Sequence, residues 1–313
     1  MSAKTVFMFS GQGSQYYQMG KPLFHANAVF REWMMRLDDL VHRKCGKRVI
    51  DVIYSSPKSE AFDRTLLTHP AIFMIEYSLA QCLMHENVRP DLTLGASLGS
   101  FAAAAVAGHI EVEDAMAAVV EQAIAFEATC ERGGMIGILC DPSLYDAAFL
   151  NHRSELAGIN FKTHFAVSAV GMELDTIESA LKQRRVAHQR LAVSFAFHSR
   201  WIDNAQDRVL SFMRSVRRRK SALPLACCAQ ATTLHDVPDD FFWRVVRQPI
   251  RFRDTVAHLE RQGPHRYIDL GPSGTLATFV KYGLAPESRS TAHAVLTPFG
   301  QDEKNLASLL ASH

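Results

Sequence analysis

Leu94-Gly-Ala-Ser-Leu-Gly-Ser-Phe-Ala-Ala-Ala-Ala-Val106 is the stretch whose reading decides the fold. Gly95, Ser97 and Gly99 form a G-x-S-x-G element, with the apolar run Leu92 to Leu94 before it and an alanine-rich run, which favours helix, after it. The reading is strand, sharp turn, helix. Two glycines remove Cβ atoms where such a turn is tightest, so the serine sits at the tip with its oxygen presented and the next backbone N–H aimed at a bound carbonyl. The helix N-terminus behind it adds positive potential where an oxyanion would form. The same residues also fit an ordinary glycine-flanked turn, so the rest of the chain must choose.

Working outward, residues 5–9 read as a buried strand that ends at Ser10-Gly-Gln-Gly-Ser-Gln15. This loop has neither G-x-G-x-x-G nor Gly-Lys-Ser/Thr, so a phosphate cradle is not its meaning. A second oxyanion loop is: the N–H of Gln12 would converge with that of Leu98 on one oxygen. Residues 21–49 and 70–85 carry helical spacing, the second helix beginning after Thr68-His69-Pro70 with Pro70 in its first turn. That places His69 at a helix start, facing a cleft or solvent. Another helix spans 112–130 and stops at Gly133-Gly134.

Beyond those glycines the texture changes. Strands at 135–139, 166–170 and 190–193, with helices at 142–151 and 174–184 between them, make a β-α-β-α-β run resembling a ferredoxin-like unit. The chain is therefore read as α/β: an α/β-hydrolase-like core from residues 1–132 and 199–313, carrying a ferredoxin-like subdomain at 133–198. A strand at 223–229, a helix around 241–246 and a strand-turn-helix over 267–277 complete the core.

Composition narrows the function. Among 313 residues, 34 Lys and Arg against 32 Asp and Glu give a net charge of +2, which argues against a nucleic-acid groove. The one basic cluster, Arg214 to Lys220, reads as a solvated helix end or, alternatively, a docking patch for an acidic protein. Six cysteines without C-x-x-C spacing read as reduced thiols rather than a disulfide framework or zinc site. The amino-terminal residues lack the pattern of a signal peptide and no apolar run is long enough to span a bilayer, so a cytoplasmic protein with no membrane partner is expected. No metal or other cofactor is implied.

Several spaced motifs then agree. Gly11-Gln-Gly-Ser-Gln15, Thr68-His-Pro-Ala71, Gly95-Ala-Ser-Leu-Gly99, Phe197-His-Ser199, Gln248-Pro-Ile-Arg-Phe252 and Leu270-Gly-Pro272 together resemble the malonyl-CoA:acyl carrier protein transacylases of fatty-acid and polyketide synthases, in family order. The stretch Phe9 to Gly20 is similar to free-standing members that serve synthases lacking built-in acyltransferases. The resemblance implies a Ser97 nucleophile, a His198 base oriented by backbone carbonyls, an oxyanion hole from the N–H groups of Gln12 and Leu98, an acyl carrier protein as partner and a monomer. Phe197, beside the histidine, would face the substrate.

Three departures carry the specificity argument. Malonyl-loading members keep an arginine 25 residues beyond the serine, where this chain has Gln122. Without that cation a buried malonyl carboxylate loses about 3 to 5 kcal/mol, roughly a few hundred- to a few thousand-fold in binding. The residue before the nucleophile, usually histidine, is Ala96, and the family glutamine before Pro70 is His69. The pocket is thus read as rebuilt for uncharged acyl groups, as in the acyl hydrolases similar to transacylases that clear acyl groups from carrier proteins, with His69 helping to hold the attacking water. A transferase loading a neutral or unusual unit fits the same residues. A docking subunit without catalysis fits less well, since it needs neither Ser97 nor His198.

Overall fold

The computed structural model describes residues 3–311. Its larger sheet has six strands in the order β10-β9-β1-β2-β7-β8, formed by β1 (Lys4–Phe9), β2 (Leu92–Gly95), β7 (Leu225–Cys227), β8 (Thr232–Leu234), β9 (His265–Asp269) and β10 (Thr291–Ala294). All neighbouring pairs are parallel except β7 with β8, which is antiparallel at the edge. Strand β1 is apolar from Val6 to Phe9 because both of its faces are covered there. Phe7 and Phe9 enter one core, while Val6 and Met8 enter a second on the opposite face.

The first core is roofed by α1 (Lys21–Ala26), α2 (Ala28–Cys45), α3 (Val49–Ser55), α4 (Thr65–His85), α5 (Gly99–Val106) and α6 (Val112–Thr129). Helix α4 is apolar on every side because it runs through the middle of this layer, packed against α2, α5 and α6. The second core lies under α11 (Phe252–Glu260) and α12 (Thr275–Gly283). The loops leaving β9, β1 and β2 meet at the carboxyl end of the sheet, where the order departs in both directions from β1, the usual place for a ligand crevice in open α/β sheets.

A second sheet of four antiparallel strands, β4-β5-β3-β6, comprises β3 (Gly133–Ile138), β4 (Glu155–Phe161), β5 (His164–Val170) and β6 (His188–Arg190). With α7 (Ala148–Asn151) between β3 and β4 and α8 (Glu173–Gln183) between β5 and β6, this is β-α-β-β-α-β in chain order, a ferredoxin-like arrangement. The five-element run read from the sequence lacks β4. That strand hides because its register shifts twice and Gly158 packs against Ile250, so its apolar residues do not alternate. The remaining helices are α9 (Gln206–Ser215), α10 (Phe241–Arg247) and α13 (Asp302–Ala311).

Two further expectations change. The stretch expected to be helical over 21–49 holds two helices, α1 and α2, and only the first residue of α3, with breaks where Asn27 caps α2 through its side chain and Gly46 ends it in a left-handed conformation. Helix α4 begins at Thr65, so Pro70 and His69 lie in its second turn rather than at its start. Proline removes a single helical donor, and the start is secured instead by the Thr68 N–H on the Arg64 carbonyl and the Leu66 N–H on Glu127 Oε1 at 2.9 Å.

The glycines of the decisive stretch are forced by contact. A Cβ at Gly95 would lie 2.3 Å from the Ser100 Cα, and one at Gly99 would lie 2.2 Å from the Phe9 carbonyl oxygen. Backbone cannot yield there. Gly99→Ala is therefore expected to destabilise the fold by about 3 kcal/mol, measured as a lower urea midpoint.

Candidate active site

Ser97 sits on the turn between β2 and α5 with φ +55°, in the left-handed region that a strand-to-helix turn imposes on its tip. Its neighbour Ala96 donates its N–H to the Phe9 carbonyl at 2.9 Å, which ties this turn to the end of β1. On the other side, a Cβ at Gly11 would come within 2.9 Å of the Ser97 Cβ. The glycine loop after β1 can lie against the serine only because that Cβ is missing.

The His198 ring reaches the serine from the segment following the small sheet. Ser97 Oγ and His198 Nε2 are 2.8 Å apart, though the two residues are 101 positions apart in sequence. His198 Nδ1 is 2.7 Å from the Gln248 carbonyl oxygen. A carbonyl only accepts, so Nδ1 carries the proton and donates it, leaving the Nε2 lone pair to accept from the Ser97 hydroxyl. His198 also has a positive φ of 61°, and its N–H is fixed on the Val246 carbonyl at 3.0 Å. The Ser168 hydroxyl donates to the carbonyl of the preceding Phe197, so β5 helps to aim the ring.

Burial pushes the His198 pKa down to about 4; its bond to the Gln248 carbonyl works upward and nearby Arg247 downward. The imidazole is thus neutral across the physiological range, as a proton acceptor must be. Activity that depends on it is expected to persist well below pH 6 and to fall with an acid limb near pH 4, read from kcat/KM on an uncharged acyl substrate. The same depression makes the unfolded chain bind more protons than the folded one between about pH 4 and 6.5. Stability from this residue is therefore complete above pH 6.5 and declines as pH falls through that window, which a denaturant titration would record.

Ser97 and His198 open onto a cavity of about 420 Å³ between the two sheets. The glycine loop, Ala96 and Phe197 line it from the core, Asn160, His164 and Gln189 from the small sheet, and Thr275 and Phe279 from α12. Among the described residues, the N–H groups of Gln12 and Leu98 have no protein acceptor, which leaves them available to an oxygen of a ligand. The Gln12 side chain is turned away, donating through Nε2 to Thr68 Oγ1 at 2.8 Å. Gln15 braces the loop further, donating to the carbonyls of Phe62 and Ala192 and accepting from the Gly13 N–H.

Gln122 and His69 do not line this cavity, which corrects the expectation that both face the substrate directly. The His69 ring lies 5.6 Å from that of Phe197 and 6.1 Å from that of Phe126, and Phe197 is the surface the cavity meets. Burial alone holds His69 down at about 3, and its Nδ1 has no partner. Gln122, one turn before Phe126 on α6, is buried with neither amide atom hydrogen-bonded. One arginine, Arg190, lies among the lining residues, and its guanidinium is engaged with Asp175 and Glu178.

Sequence reasoning missed the cavity's distal wall. Asn160, His164 and Gln189 sit on short strands with no motif around them, and only the amphipathic spacing of Thr275, Leu276 and Phe279 on α12 offered a signal. The basic cluster proves largely neutralised, with Arg218, Arg219 and Lys220 paired to Asp239, Glu111 and Asp236. Among the described residues no group of His, Cys, Asp or Glu is arranged to hold a metal, and no helix is long and apolar enough to cross a membrane.

A mostly parallel sheet with a serine on the turn after its second strand, a histidine bonded to it, and a ferredoxin-like unit across the cavity define an acyltransferase-fold enzyme. The chain belongs to the acyl transferase domain family, which matches residues 6–312. It is 44% identical over 309 residues to the polyketide biosynthesis acyltransferase homolog PksD of Bacillus subtilis, covering 98% of this chain and 95% of that one. Identity to the homolog BaeD of Bacillus velezensis is 43% with the same coverage. Among solved structures it is similar to a loading acyltransferase from the avermectin modular polyketide synthase, with a TM-score of 0.90 at 25% identity over 98% of this chain and 99% of that one.

Proposed function

We propose that this protein is an acyl hydrolase that removes short, uncharged acyl groups from the acyl carrier proteins of a polyketide synthase. In this reading Ser97 Oγ attacks the thioester carbonyl as its proton passes to His198 Nε2. The resulting oxyanion rests on the N–H groups of Gln12 and Leu98. Collapse expels the carrier thiol, which takes the proton back from His198, and leaves an ester on Ser97. Water, deprotonated by the same Nε2, then attacks that ester and releases the free acid. His69, shielded by Phe197, is given no role in holding that water.

The observation that carries this reading is the contrast between a complete dyad, Ser97 Oγ 2.8 Å from a correctly polarised imidazole, and an acyl region with no free cation. Gln122, at the position where malonyl-loading members keep an arginine, is an uncharged amide buried off the cavity, and Arg190 is already paired. A dicarboxylic acyl group has nothing to neutralise it, whereas acetyl and its neutral relatives lose nothing. Resemblance to the two Bacillus homologs supports the polyketide setting.

The name acyltransferase homolog, borne by both relatives, favours a second reading in which a carrier thiol instead of water takes the acyl group. Incubation with acetyl-, butyryl- and malonyl-loaded carrier, in the presence of a second, unloaded carrier, separates the two by intact mass. Free acid from the neutral substrates alone is expected. Acyl mass gained by the second carrier establishes transfer instead, and masses equal to those with Ser97→Ala throughout rule out both.

A further inference from the structure

The glycine loop must hold the Gln12 N–H still, yet it follows the last residue of β1, where the sheet stops supplying hydrogen bonds. Ser10 is the first residue beyond the ladder, and its buried N–H meets Glu76 Oε1 at 2.6 Å. Its hydroxyl lies 2.9 Å from the same oxygen and 2.9 Å from Ser14 Oγ, and Ser14 donates to the Gly11 carbonyl at 2.8 Å. Glu76 therefore anchors a short network that reaches Ser10 before the loop's Gly11-Gln12 turn and Ser14 after it. From the opposite side Gly271 presses on Ser10, where a Cβ would come within 2.3 Å of the hydroxyl oxygen.

Glu76 lies in α4, the most apolar part of the core, and is fully buried. Among the described residues no cation is paired with it; its other oxygen has no partner there, and Asp269 is the charged group acting on it. Burial lifts its carboxyl well above the ordinary range, the two bonds from Ser10 pull back, and Asp269 adds to the rise. An aliphatic side chain would fill this place with no desolvation cost. What an aliphatic residue lacks is an acceptor for Ser10.

The geometry points to Glu76 as a positioning residue for acyl transfer at Ser97, its carboxyl oxygen setting the height of the glycine loop and so the place of the Gln12 N–H above the nucleophile. This inference rests on the Ser97 and oxyanion-loop roles proposed above and is independent of whether water or a thiol completes the reaction. Because the oxyanion forms only after attack, a displaced loop weakens binding of the tetrahedral adduct while sparing the ground state.

The test uses the full chain and two ligands: a trifluoromethyl ketone analogue of acetyl-pantetheine, which forms a hemiketal oxyanion with Ser97, and pantetheine itself. Glu76→Gln keeps the acceptor and is expected to bind both within about threefold of wild type. Glu76→Met is expected to lose at least about 30-fold toward the ketone and less than about twofold toward pantetheine. Glu76→Asp, which shortens the reach while keeping the chemistry, is expected to lose about tenfold toward the ketone alone, and decides the matter if the methionine variant does not fold. Ketone binding unchanged in the folded variants, or equal losses for both ligands, overturns the inference. Wild-type ketone binding that survives Ser97→Ala overturns instead the serine reading beneath it.

Discussion

Replacing Ser97 with alanine is expected to lower turnover of acyl-carrier thioesters by at least about 10⁴-fold, with the acyl-enzyme mass lost completely. The effect is large because the hydroxyl has no understudy. Among the described residues no other hydroxyl or thiol is bonded to His198, and the deprotonated oxygen forms only where Nε2 can take its proton. Folding is expected to survive, since alanine occupies the same left-handed tip as serine does at φ +55° and removes no packed group. His198→Ala should lose a comparable amount, and the double variant little more, because the two act as one unit. Steady-state rates on acetyl-loaded carrier, beside circular dichroism to establish folding, check both.

The second large effect concerns Gln122. Gln122→Arg is expected to raise kcat/KM for malonyl relative to acetyl groups by about 10²-fold, approaching the 3 to 5 kcal/mol that a buried carboxylate gains from a bidentate cation. The longer side chain enters a place where the present amide has both polar atoms buried and unbonded, so no existing hydrogen bond is sacrificed. In the absence of substrate the new charge is unpaired in the core, and the variant should melt several degrees below wild type, recovering when a malonyl group is bound. Competition between acetyl- and malonyl-loaded carriers, read by mass, measures the switch. An unchanged malonyl preference in a folded variant would remove the selectivity argument.

How far these outcomes could be read from the sequence differs by residue. Ser97, Gly95 and Gly99 were legible because a strand-to-helix elbow constrains backbone, and backbone constraints select glycine at fixed spacing. His198 was legible through its place among ordered motifs, but its orientation was not, since the acceptor is a main-chain oxygen at Gln248 that any residue could supply. The buried set of α4 was only half visible: periodicity assumes one wet face, and a helix enclosed on all sides has none. Pro70 misplaced the start of that helix, because tertiary support from Glu127 outweighs what a single proline costs. The same error put His69 at a helix start, facing a cleft or solvent, when it is buried in the second turn against Phe197. Glu76 drew no notice at all, as one carboxylate within an apolar run carries no spacing signal.

The account turns on which acyl group becomes esterified to Ser97. Wild-type protein mixed with equal amounts of acetyl- and malonyl-loaded carrier, acid-quenched during steady state and mapped by peptide mass, answers this directly. An acetyl ester on the peptide containing Ser97, with malonyl ester lower by about 10² or more, is the predicted result. Malonyl ester equal to or exceeding acetyl, or an acyl adduct on a residue other than Ser97, would contradict it.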